Sequence, residues 1–176
     1  VLTETGKKIF FLPPVEFNVF KSFTGLDTPV GSIKANPNKF TKIMVIDDEE
    51  INYYNTDFGF IFHYANGYEQ ADNTLIVDAA VLPEFPSAKD IRRFMKGEIV
   101  GVPKGQLTRH HIDLEKGKVT KTLLSDHYCE LGEVHPDLTG QPYQFYWSLG
   151  GSPDSSNELL TGIMKVDVEN QHTIFQ

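Results

Sequence analysis

No stretch of this sequence stays apolar for long before a proline, a glycine or a polar turn stops it. Lys8–Leu12 ends at Pro13-Pro14, and Thr74–Leu82 ends at Pro83. Gln106–Leu114 and Val119–Leu124 flank Glu115-Lys116-Gly117-Lys118. Proline lacks the N–H that a central ladder needs, and a glycine-containing turn between two such runs is a hairpin signal. Thr41–Asp47 and Ile51–Thr56 face each other across Asp47-Asp48-Glu49-Glu50. Pro142–Leu149 and Thr161–Val168 are joined through Gly150-Gly151-Ser152-Pro153. Lys21–Lys39, rich in Gly, Pro, Ser and Asn, reads as a loop. One short helix is expected over Asp90–Lys96, with Asp90 as its cap and Gly97 as its stop. Short strands at close spacing with almost no helix bury themselves by stacking sheets. The expected fold is therefore all-β: a sandwich, a barrel or a propeller.

Composition then works by exclusion. Of 176 residues, 40% are apolar and 23% charged, ordinary globular usage that excludes a disordered or low-complexity chain. A net charge of −8 provides no basic stripe, so nucleic acid is excluded as a partner. Runs such as Ile9–Pro14 and Ala79–Pro83 are too short to cross a bilayer. With no signal segment visible, a cytoplasmic location is expected and membrane association stays open. The single cysteine, Cys129, excludes an internal disulfide and a cysteine-rich zinc site, and it reads as a small buried residue. No phosphate loop, dinucleotide fingerprint, zinc-protease helix or nucleophile elbow occurs. The 13 Phe, 7 Tyr and 1 Trp are the unusual component, and they point to β-structure, an aromatic-lined cavity, or both. Both ends, Val1-Leu2-Thr3 and Thr173-Ile174-Phe175-Gln176, are already strand-like, so part of a longer chain is expected.

Any metal chemistry must come from the six histidines. His110 and His111 are adjacent on one expected strand and point to opposite faces. His111 shares a face with Asp113, which is the first half of an H-x-D iron triad whose distal ligand would be His127, His135 or His172. Asp113, however, leads into a hairpin turn, where an exposed carboxylate is the simpler reading. His63 sits in the most aromatic strand, where Phe58, Phe60 and Phe62 alternate with Gly59, Ile61 and His63. A period of two puts the three phenylalanines on one face and His63 on the other. A buried histidine bonded to the backbone is the plain alternative to a ligand there.

Phe62-His63-Tyr64-Ala65-Asn66-Gly67-Tyr68-Glu69 resembles the F-H-x-x-N-A-[FYW]-E segment of the carotenoid cleavage oxygenases. Cys129-Glu130-Leu131-Gly132-Glu133-Val134-His135-Pro136, running on through Gly140 to Phe145, is similar to that family's C-E-F-P-x-[IV]-x-P and G-x-x-Y-R-Y segments. Leu107–Asp113 with Gly117 resembles its L-x-R-x-x-I-D hairpin, and Ile163–Asp167 its L-x-K-x-D strand. Leu131-Gly132 stands where the family has Phe-Pro, and Gly67 where it has alanine.

The resemblance implies a concrete fold and chemistry. The chain would be consecutive blades of a seven-bladed β-propeller, with 1–176 forming the central part of one domain without internal boundary. It would belong to a non-haem Fe(II) dioxygenase that cleaves one double bond of a carotenoid or apocarotenoid with O2, giving retinal-like aldehydes. His63 matches the third of four iron histidines, and Glu130 the carboxylate that orients it. Phe62 and Leu131 fall at the wall of the substrate tunnel. Val1-Leu2-Thr3 looks like the tail of the segment bearing the second histidine, so the other three ligands are expected outside this chain, and the chain alone is expected to be inactive. The implied partners are an apolar polyene and O2, with any peripheral membrane contact made through parts outside this chain. Three alternatives stay open: a stilbene-cleaving relative of the same family, an H-x-D jelly-roll iron oxygenase, and a non-catalytic β-propeller interaction module.

Overall fold

A computed structural model describes residues 1–98, 103–154 and 160–176. Strands dominate it: they form a three-stranded sheet, a two-stranded ribbon and one seven-stranded antiparallel sheet, whose two halves share one long strand and count as the second and third sheets. In the first, β1 (Lys8–Leu12), β4 (Thr41–Asp47) and β5 (Glu50–Thr56) lie in the order β1-β4-β5. Val1 and Ile9 exchange both backbone hydrogen bonds, at 2.9 Å each, which lays the first residues along the free side of β1. The second sheet runs β6 (Phe60–Glu69), β7 (Thr74–Leu82), β8 (Gln106–Asp113) and the first half of β9 (Lys118–Glu133). The third continues from the second half of β9 through β10 (Phe145–Gly151), β11 (Gly162–Asp167) and β12 (His172–Phe175).

β9 serves two sheets. Lys118–Leu123 pairs with β8, and Tyr128–Glu133 pairs with β10. The sequence pattern marks only Val119–Leu124 as a strand. The strand runs nine residues further because a second ladder, invisible locally, takes over its far half. The expected helix at Asp90–Lys96 spans Ala88–Met95 instead. Its cap is Ser87: the Asp90 carboxylate accepts from the Ser87 backbone N–H at 2.9 Å, and Ser87 Oγ accepts from the Asp90 N–H at 3.2 Å. This reciprocal box puts Asp90 inside the first turn rather than at the cap. The expected loop Lys21–Lys39 also holds structure. Helix α1 (Val19–Phe23), capped by Asn18, leads through a tight turn at Val30–Ser32 into β3 (Ile33–Ala35), which pairs with β2 (Val15–Phe17).

Alternation along the strands builds two cores. Ile9, Phe11, Ile43, Val45 and Tyr54 of the first sheet pack on Leu75, Val77 and Ile112 of the second. On the other side Ile76, Ala80, Leu107 and Cys129 pack on Tyr146, Met164 and Val166. β7 is therefore buried on both faces. His110 and His111 do point to opposite faces. His110 lies edge-on to Phe11 at 4.8 Å in the first core, where burial pushes its pKa down to about 4 and keeps it neutral.

Between the second and third sheets lies a polar group that the sequence pattern did not reveal. Asp78, fully buried, accepts from Arg109 Nε at 2.9 Å and Arg109 Nη2 at 2.8 Å, and from the Tyr143 hydroxyl at 2.6 Å. A buried carboxylate survives only with such bidentate pairing. Burial acts to lower the Arg109 pKa, but Asp78 outweighs it and holds the guanidinium firmly charged.

Candidate functional site

The first strands of the second and third sheets meet at His63 and Glu130. His63 Nδ1 lies 2.7 Å from Glu130 Oε2, although 67 residues separate them in the chain. Neither strand reaches this geometry by regular pleating. On β6 the pairs Ile61↔Val81, Tyr64↔Ala79 and Asn66↔Asp78 show one extra residue on each side of Tyr64. These bulges break the simple alternation. Phe60 and Phe62 keep their edge contact at 4.8 Å, but the Phe62 ring also lies 6.4 Å from that of His63 instead of on a strictly opposite face. On β9 a further bulge falls at Glu130–Glu133, opposite Leu149 and Trp147. Bulges re-aim side chains, and here they turn two toward each other.

The imidazole side chain is 49% exposed, whereas the Glu130 side chain is 18% exposed. His63 thus uses Nδ1 for the carboxylate and leaves Nε2 without a protein partner among the described residues. A carboxylate on one ring nitrogen fixes the tautomer and makes the other nitrogen a better donor to a metal. Phe62, whose ring lies 6.4 Å from the imidazole, and Leu131, next in the chain after Glu130, are exposed apolar side chains.

The rest of the His63 segment is scaffold. Asn66 is buried and fully bonded: its amide donates to the Leu138 and Gln141 carbonyls at 2.9 and 3.0 Å, and its oxygen accepts from the Gly140 N–H at 2.9 Å. Glu69 gathers Thr3, Thr5 and Lys7. Burial raises its pKa, but these three partners outweigh that and hold the carboxyl below its ordinary range. A Cβ on Gly67 would come within 2.5 Å of Val1 Cγ1, so an added side chain would require the Val1 side chain to shift. The place of Gly67 in the sequence was legible, this contact was not.

The H-x-D arrangement is not assembled. Asp113 accepts from the Glu115 and Lys116 backbone N–H groups at 3.1 and 2.8 Å and from the Lys116 ammonium at 2.9 Å, so it closes the hairpin turn. His127 bonds Asp126 at 2.9 Å, and His135 Nδ1 accepts from the Asp137 N–H at 3.4 Å. His172 lies exposed on β12. Among the described residues no three His, Cys, Asp or Glu side chains come together to hold a metal. The jelly-roll alternative falls with that triad. Cys129 is buried, and its thiol is pushed up to about 12 by burial and by Glu130, which makes it a packing residue.

A family model described as RPE65, retinal pigment epithelial membrane protein, matches residues 3–176. The chain belongs to this family, the carotenoid oxygenases. It is 29% identical over 164 residues to an apocarotenoid-15,15'-oxygenase of Synechocystis, covering 92% of this chain and 33% of that protein. It is 28% identical over 158 residues to a carotenoid isomerooxygenase of Galleria mellonella, covering 81% of this chain and 30% of the other. The structure of cobalt-substituted Synechocystis ACO superposes with a TM-score of 0.90 at 27% identity, over 100% of this chain and 37% of that one. The three sheets are thus consecutive blades of a β-propeller. The chain spans about a third of the length of these carotenoid oxygenase relatives. Enzymes of the family are metal-dependent oxygenases.

Proposed function

We propose that this chain contributes one iron ligand and its orienting carboxylate to a dioxygenase that cleaves a carotenoid or apocarotenoid double bond. The observation that carries this reading is the 2.7 Å contact between His63 Nδ1 and Glu130 Oε2, with Nε2 left without a protein partner among the described residues. A neutral imidazole with its proton held on Nδ1 suits a ferrous ion, and one such residue is a quarter of the four-histidine set that the family resemblance implies for a seven-bladed parent. When bound, the iron supplies the redox chemistry by which O2 reacts with a closed-shell alkene. In this chain His63 offers the Nε2 lone pair, and Glu130 keeps the proton on Nδ1 and the ring in place. Phe62 and Leu131 shed water beside the histidine and suit an apolar polyene. The balanced outcome is one C=C and one O2 giving two C=O groups. The test is the full-length protein loaded with Fe(II) and given an apocarotenal or a hydroxystilbene in parallel. Two aldehyde fragments from the polyene, each carrying one oxygen atom from labelled O2, are expected. Cleavage of the stilbene alone would shift the assignment to that branch, and product from neither would overturn it.

We propose in addition a peripheral membrane contact through helix α1. Helix α1 buries none of its residues, and Phe17, Val19, Phe20, Phe23 and Leu26 stand exposed around it, Phe23 at 91%. Residues 7–42 hold six lysines against two acids, in a chain of net charge −8. Exposed aromatic side chains in a lysine-rich segment suit the surface of an anionic bilayer. On this reading a contact lies inside this chain as well as in parts beyond it. No helix among the described residues is long and apolar enough to cross a membrane. Vesicle co-sedimentation of the full-length protein should show phosphatidylserine-dependent binding. Phe20→Ser with Phe23→Ser should weaken it at least tenfold, given about 1.5–3 kcal/mol for each buried phenylalanine. Unchanged binding by the double variant would remove α1 from the contact.

A further inference from the structure

We infer that Gly132 and Tyr146 form a steric lock that sets the Glu130 carboxylate and, through it, the His63 ring; the inference rests on the reading of His63 as a metal ligand. The extra residue of the β9 bulge lies between Glu130 and Glu133. Leu131 there has φ +55°, the left-handed region that a side chain such as leucine avoids. Its backbone N–H lies 3.3 Å from Glu130 Oε2, the same oxygen that meets His63 Nδ1. The bulge backbone and the histidine therefore share one acceptor. Any shift of Leu131 moves the carboxylate that holds the ring.

Something must keep the bulge in this strained form, and Tyr146 is placed to do so. Its side chain is 1% exposed in the core between the second and third sheets. A Cβ on Gly132 would fall within 3 Å of Tyr146 Cζ and Oη, closer than real Cβ atoms approach. The ring end thus fills the space where a side chain of residue 132 would stand. Tyr146 cannot yield easily, because it is packed among Cys129, Met164 and Val166. Only glycine fits beneath it, and glycine alone would leave the bulge the freest backbone in the strand. The ring removes that freedom. Gly132, which the sequence shows only as a departure from the family segment, is one half of a fitted pair. Both are positioning residues, since neither touches the metal side of His63.

The test is cobalt(II) titration of the metal-free full-length protein, read by visible absorption. Gly132→Ala should weaken cobalt binding about 10–100-fold, the usual range for lost support of a ligand, and change the d–d band shape. Tyr146→Phe should leave both unchanged, because the ring end remains. Adding Tyr146→Leu to Gly132→Ala should restore affinity to within roughly threefold of the wild type, which a general loss of stability would not do. The lock is refuted if Gly132→Ala binds cobalt as the wild type does, or if the double variant is no better than the single. If Gly132→Ala fails to fold, the double variant against the wild type decides by itself. His63→Ala in the same titration separates the two ideas: if it keeps full cobalt affinity and spectrum, the ligand reading fails, whereas failure of the lock leaves that variant defective.

Discussion

His63→Ala in the full-length protein should leave it without stoichiometric iron and without turnover. On the proposed reading His63 is one of four neutral imidazoles, so its loss leaves no anionic ligand to compensate, and among the described residues no three His, Cys, Asp or Glu side chains gather to hold a metal instead. Glu130→Gln is expected to be milder. The amide still reaches Nδ1 but loses the charge assistance, so metal affinity should fall about 10–100-fold while some iron and some activity remain. The order of severity is the informative part, and metal analysis of purified protein with parallel turnover reads it. Normal iron content in the alanine variant would remove His63 from the metal set. A glutamine variant worse than the alanine variant would mean that Glu130 acts other than through His63.

The second large effect concerns these 176 residues expressed alone. They should be aggregated or loosely packed, and should bind neither iron nor carotenoid stoichiometrically. The middle sheet is covered on both faces, but each outer sheet is covered on one only. Phe10, Leu12, Ile51 and Tyr53 stand exposed on the far side of the first sheet, and Trp147, Leu149, Ile163 and Ile174 on the far side of the third. Cross-strand pairing makes each set contiguous, with Leu149 opposite Ile163 and Ile46 opposite Ile51. Monomeric proteins rarely expose such patches beyond a few hundred Å2, and repeat architectures hide them against the next unit. Relatives three times as long have blades to spare for that purpose. Size-exclusion chromatography and thermal melting of the isolated chain are the measurements. A monodisperse, cooperatively melting monomer with one iron per chain would show the two faces to be harmless and the metal set to be complete within these residues.

What could be read from the residues, and what could not, follows the range of the interactions. β1, β4 and β7 were legible with their ends, because proline or a polar turn closes each of them, with burial alternating along β1 and β4 and a largely apolar run in β7. β9 was half legible. Its first half has a hairpin partner four residues away, whereas its second half is a strand only because β10 arrives beside it. Asp90 was placed at a helix cap that Ser87 occupies, since both residues can cap and only the local geometry chooses. His63 and Glu130 were paired through resemblance, not through spacing.

By itself the sequence determined the all-β class, the order of the hairpins, the exclusion of disulfide and nucleotide chemistry, and the histidine worth watching. Those depend on backbone donors, side-chain period and residue inventory, which are local properties. Tertiary structure alone decided how Glu130, already paired with His63 by resemblance, comes within 2.7 Å of it, what a side chain on Gly67 or Gly132 would meet, and where the fully buried Asp78 finds Arg109 and Tyr143. Each of these depends on two bulged or distant segments meeting at ångström precision. A period of two predicts faces, but one inserted residue turns every later side chain over, and only the packed neighbour fixes where that residue goes.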